Sequence, residues 1–130
     1  SSGRTTAVLN NDTTYRSDSG AVTQNLVQGL NKFWNNIDAD ESSISSRDSF
    51  NQSSITDGGT GDYVFVFTNN MANNDYSHTT GANSASGHLS MIYSEGEMNT
   101  GQTRSYVVEI YANNPTDSNV VVNTVAGDLA

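Results

Sequence analysis

Apolar residues follow two rhythms along this chain, and the second takes over near residue 44. Leu26, Leu30 and Phe33 recur at helical spacing, flanked by Val27 and Trp34. That spacing predicts a short helix of two or three turns within 23–34, leading into a strand at 32–38. Thr23 suits its N-cap, although Gly29 would cost up to about 1 kcal/mol in the helix interior. From Ile44 onward the rhythm is that of strands. Ile44, Ser46, Asp48 and Phe50 open an irregular one. Tyr63-Val64-Phe65-Val66-Phe67 has no polar alternation, which predicts a strand covered on both faces. Further strands are expected at Tyr76–Thr80, at His88–Ser94 (with Leu89, Met91 and Tyr93 on one face), at Ser105–Ala112 and at Val120–Ala126.

Turn residues separate these runs. Asp57-Gly58-Gly59-Thr60-Gly61-Asp62 is a strong turn signal, because glycine accepts positive φ without steric cost. Asn69–Asn74 and Gly81–Gly87 read as loops, and Pro115 marks the turn before the last strand. Short strands at this spacing predict an all-β fold, an antiparallel, jelly-roll-like β-sandwich with one short helix near its start. Residues 1–22 are polar apart from Ala7, Val8 and Leu9 and read as an N-terminal arm. Residues 23–130 read as the sandwich domain.

Composition narrows the function classes. The apolar share, 34%, is low for a soluble domain, which predicts that neighbouring subunits contribute to burial. Polarity comes from Asn, Ser, Thr and Gly more than from charge, since charged residues make up only 15%. Fourteen acidic residues against five basic give a net charge of −9, which opposes binding to nucleic acid or to an anionic membrane. No apolar run is long enough to insert in a membrane. The chain has no cysteine, hence no disulfide and no thiolate metal site.

Candidate chemistry is sparse, and no motif calls for a cofactor. Glu95 and Glu97 are spaced to share a strand face, as a glycosidase pair would, but Gly96 between them favours a solvated turn. Asp38, Asp40 and Glu41 offer oxygen ligands for a hard cation. The EF-hand positions that need glycine and glutamate hold Ser43 and Ser49 instead, so no metal site is assigned. His78 and His88 flank one loop and fall short of the three or four ligands of a zinc site. Leu26, Leu30, Phe33 and Trp34 are the candidate subunit-interface residues. Tyr76, Tyr93 and Tyr111 are candidates for glycan or receptor contact.

The run Ser46-Arg47-Asp48-Ser49-Phe50-Asn51-Gln52-Ser53-Ser54-Ile55-Thr56-Asp57-Gly58-Gly59-Thr60-Gly61-Asp62-Tyr63-Val64-Phe65-Val66-Phe67-Thr68-Asn69 resembles a module of marine and cyanobacterial tailed-phage structural proteins, of the tail-fibre-like or virion-structural kind. Gln24–Trp34 resembles the entry segment of that module, and Gly127-Asp128-Leu129-Ala130 its end. Asp38-Ala39-Asp40-Glu41 departs from it, standing where a small Gly/Thr-rich turn is expected. The resemblance implies a non-enzymatic domain on a virion surface, homotrimeric, in contact with other virion proteins and with a host-surface glycan as a further partner. A carbohydrate-binding adhesin module and a self-assembling extracellular filament subunit are the alternatives that fit the same composition.

Overall fold

The computed structural model describes residues 6–40, 43–83 and 87–130. The chain divides into two compact units, Ser1–Leu30 and Asn31–Ala130. In the first, β1 (Thr14–Arg16) and β2 (Thr23–Asn25) form an antiparallel hairpin, and Tyr15 Oη donates to Gln24 Oε1 at 2.5 Å across it. Ala7, Val8 and Leu9 precede the hairpin, exposed and outside any strand.

The helix expected within 23–34 does not form. Residues 26–30 make two successive tight turns, with Gly29 N donating to Leu26 O and Leu30 N to Val27 O. The side chain of Asn25 accepts from Gln28 N at 2.9 Å and so competes with helical pairing. Gly29 adds its entropy cost at the centre of a segment too short to repay helix nucleation. The apparent helical stripe is the chance overlap of a turn with a strand.

The second unit is all β, and its first strand is β3 (Asn31–Asp38). Alternation along β3 buries Phe33, Asn35 and Ile37 and turns Trp34 outward. One sheet has the order β4 (Ser45–Phe50), β3, β11 (Val121–Ala126), β7 (Ser77–Ala82). In the other, β9 (Gln102–Glu109) has β6 (Asp62–Phe67) on one side and β8 (His88–Ile92) on the other, and β6 pairs onward with β5 (Gln52–Gly59). The short β10 (Asn114–Pro115) also pairs with β9, and Thr116 N just beyond it donates to Val107 O. All pairings are antiparallel. Two Greek-key crossings follow from this order: β6 neighbours β9 rather than β7, and β11 enters between β3 and β7.

The two sheets close on one core of Phe33, Ile37, Tyr63, Phe65, Phe67, Met71, Tyr76, Val107, Val121 and Val125. Phe33 of the first sheet meets Phe67 of the second edge-on, with ring centroids 5.2 Å apart. The architecture is the antiparallel sandwich expected from the strand rhythm. Phe33, expected at a subunit interface, is fully buried in its own chain, because alternation points it at Phe65 and Phe67.

Strands β4 and β5 are one extended run that turns from the first sheet into the second at Asn51. There φ is 61°, a left-handed backbone that asparagine tolerates better than other side-chain-bearing residues. Its Nδ2 donates to Lys32 O at 2.8 Å and Asn69 O at 3.1 Å, and its Oδ1 accepts from Asn69 N at 2.7 Å. The corner is therefore stapled to β3 and to the loop after β6. At the other end of β5, Gly61 (φ 71°) closes the hairpin into β6, and a Cβ there would lie 2.3 Å from Val107 O.

Two stability outcomes are expected in urea titrations. Asn51→Ala should cost about 2–4 kcal/mol, combining left-handed strain with lost hydrogen bonds, and Asn51→Gly should cost less because glycine relieves the strain. Equal losses in the two variants would mean that the backbone is not strained there. Ser105 is fully buried and its Oγ has no partner. Ser105→Ala should accordingly be neutral or stabilise by up to about 1 kcal/mol, since an unsatisfied buried hydroxyl costs more than a methyl-sized gap.

Candidate functional site: two unlike sheet faces

Strand alternation decides what each sheet shows outward. On the β8–β9–β6 side, Leu89, Met91 and Tyr93 point away from the core. In register with Leu89 and Met91 on β9 stand Val108 and Tyr106, and Tyr93 N bonds Arg104 O. Val64 and Val66 of β6 continue the same face. Leu89 is 50% exposed, and Met91 and Tyr93 are exposed as well. This is a contiguous aliphatic and aromatic patch on rigid strands rather than a scatter of single residues.

The charges on that face are paired with one another. Arg104 Nε and Nη2 grip the Asp62 carboxylate at 2.6 and 2.5 Å, and Nη1 reaches Glu97 at 3.2 Å. Its guanidinium lies 3.9 Å from the Tyr93 ring centre, and Tyr93 meets Tyr106 edge-on at 5.5 Å. The hydrogen bonds that Arg104 donates to Asp62 push its pKa further up, burial working against them, so the cation is permanent. It holds the two carboxylates and the ring in place, so the charges on the face are all paired and sum to −1.

The outer face of the other sheet differs. Trp34 of β3 and Phe50 of β4 are direct cross-strand partners, 36% and 53% exposed. Thr124 of β11 is the partner of Trp34 on its other side, followed by Thr79 of β7. In the next row stand Asp48, Asn36, Val122 and Gly81. Arg47, at the bulge in β4, bonds Asp38 Oδ2 at 2.6 Å and Ile37 O at 3.0 Å.

The remaining candidates are dispersed. Of the four expected interface residues, Leu26 and Leu30 lie in the first unit and Phe33 and Trp34 in the second. Tyr76, expected to contact a glycan, is instead buried: its ring packs on Phe67, and its Oη donates to Gln102 O at 2.8 Å. Tyr93 belongs to the apolar patch, and Tyr111 is 86% exposed, its ring beside Gly87. Glu95 and Glu97 sit on a single 3-10 turn, Glu97 engaged by Arg104. Asp38 and Asp62 are likewise held by arginines, while Glu41 lies outside the described residues. Residues 84–86 of the expected 81–87 loop also lie outside them. Among the described residues no three acids or histidines converge on a metal-sized site.

The histidines part company. His88 Nδ1 bonds Ser118 Oγ at 3.1 Å, and that hydroxyl donates to Asn83 Oδ1. The serine proton thus points away from the imidazole, the reverse of a nucleophile and its base. His78 is buried in a line of side chains that runs through the sandwich. Asn35 Nδ2 donates to Gln52 Oε1 at 2.7 Å, and Asn123 Nδ2 to Asn35 Oδ1 at 2.9 Å. His78 Nε2 contacts Asn123 Oδ1 at 2.9 Å, and Thr103 Oγ1 contacts His78 Nδ1 at 2.9 Å. Asn123 Oδ1 can only accept, so the proton sits on Nε2 and the Thr103 hydroxyl donates to Nδ1. Nothing in the sequence marks this line, because buried asparagines look like the exposed ones around them.

No family model, curated protein or solved structure matches the chain.

Burial lowers the His78 pKa, against a raising contribution from Asn123. The unfolded chain, with an ordinary His pKa of about 6.5, therefore binds a proton that the folded chain refuses. Between the folded value and about 6.5, stability rises with pH and falls on acidification. Urea titrations from pH 7.5 down to 5 should show this loss, and His78→Gln should flatten that part of the profile. An unchanged profile in the variant would assign the acid sensitivity to other groups.

Proposed function

We propose that the chain is an assembly and adhesion domain of a virion surface, part of a tail fibre or a capsid decoration, working as a homotrimer. One observation carries the self-assembly: the patch of uncharged side chains Leu89, Met91, Tyr93, Tyr106 and Val108 on and beside β8 and β9. Copies that each carry −9 repel one another wherever unpaired acids meet. A face whose acids Asp62 and Glu97 are both paired to Arg104 is where they can approach. Aliphatic and tyrosine side chains on strands supply desolvation gain at little ordering cost, as the centre of a permanent interface requires. Cyclic association would bring the same patch edge of each copy around one axis. The virion setting rests on the likeness of residues 46–69 to phage structural modules, and the cysteine-free, Asn/Ser/Thr-rich surface agrees with it.

Light scattering at micromolar concentration should give three times the 13.9 kDa chain mass. Association should tighten from low to moderate salt as the like charges are screened. Leu89→Asp with Met91→Asp should yield a folded monomer. A wild-type monomer at ~100 µM, where an interface of ordinary size would be saturated, would sink the trimer.

A further inference from the structure

We propose that the outer face of the β4–β3–β11–β7 sheet is a saccharide-binding site for neutral hexose chains, centred on Trp34 and Phe50. It gives the adhesion half of the function above a ligand class and does not depend on the trimer. Directly opposed strand residues hold their Cβ atoms about 4.5–5.5 Å apart, so these two aromatic side chains leave the sheet side by side on its outer face. A hexose offers a C–H face that complements the negative face of an aromatic ring, and a rim of hydroxyls that needs hydrogen-bonding partners.

The surroundings of the two side chains supply that rim. Thr124 and Thr79 continue their row, and Asp48 and Asn36 stand in the row beside it. Such neighbours distinguish the face from the aliphatic patch on the opposite sheet, where a protein surface would be matched instead. Gly81 has no side chain and the threonines are short, so the described residues of the sheet itself raise no wall at its β7 end. A chain can therefore lie across the sheet rather than enter by its terminus. Charge sets the class. Arg47 is neutralised by Asp38, while among the described residues Asp48 has no basic partner, and the whole chain carries −9. Uronates and sulfated sugars would meet uncompensated negative potential.

The test is affinity electrophoresis in gels containing dextran, mannan or galactan, with alginate as the acidic comparison. Retardation is expected in at least one neutral polymer and not in alginate. Binding should weaken at least about tenfold in Trp34→Ala and in Phe50→Ala, and should be unaffected in Tyr93→Ala and Tyr111→Ala. Trp34→Tyr and Phe50→Tyr, which keep a ring, should retain it and serve if an alanine variant misfolds. Native mass is measured on each variant alongside. Retardation in no neutral polymer, or only in alginate, would overturn the proposal, as would its loss in Tyr93→Ala or Tyr111→Ala. So would a change of native mass in Trp34→Ala, which would make that residue an interface contact. The wild-type mass alone decides the trimer.

Discussion

The hydrogen-bonded line Gln52–Asn35–Asn123–His78–Thr103 sets the register on which the rest of the molecule depends. It leaves the second sheet at Gln52, crosses three strands of the first, and returns to the second at Thr103. Both sheets are thus joined at both ends of the line by polar contacts that allow one geometry. A hydrophobic core tolerates sliding, whereas buried amides do not: each one left without a partner costs about 1–3 kcal/mol. A one-residue slip of β3 or β11 would turn Asn35 or Asn123 to solvent and drive Trp34 or Thr124 inward. Polar side chains in this core therefore contribute specificity more than net stability, and the protonation state of His78 is part of that device.

A fixed register also fixes the two outer faces. The alternation that buries Phe33 and Ile37 presents Trp34 and Asn36, and the one that buries Thr103 and Val107 presents Arg104, Tyr106 and Val108. Neither face is a by-product of loop conformation. Each sits on paired strands, where positions are held more tightly than in the connections. Their chemistry then separates: aliphatics and an arginine paired with two carboxylates on one side, aromatic rings among amides, hydroxyls and a carboxylate on the other. The first favours a protein surface of the same kind, the second a ligand rich in hydroxyls.

Much of this was legible in the sequence, in proportion to how local the signal is. The run 62–68 and the segments 88–94 and 120–126 gave their strands through composition and alternation. Leu89, Met91 and Tyr93 were readable as one face. The helix within 23–34 was misread because Leu26 and Leu30 belong to a turn and Phe33 to a strand, and three apolar residues at i, i+4 and i+7 mimic a stripe. Pairing is not local, so no sequence rule placed Phe50 beside Trp34 or Tyr76 in the core. The Asn51 corner was equally hidden among the many asparagines, and only its φ sets it apart.

The low apolar content first suggested a core completed by neighbouring subunits, and the folded chain weakens that argument. Phe33, Tyr63, Phe65, Phe67, Val107, Val121 and Val125 already fill the space between the sheets, and the polar line occupies volume that aliphatics would hold elsewhere. A sandwich with buried amides needs fewer apolar residues, so scarcity does not imply a missing partner. What points to one is distribution. Leu89, Met91 and Tyr93 are apolar residues that the core does not use, placed together on one face of a chain that has few to spare. In a protein otherwise made soluble by Asn, Ser and Thr, such a concentration lowers solubility unless something covers it. The case for assembly therefore rests on where the apolar residues are, not on how many there are.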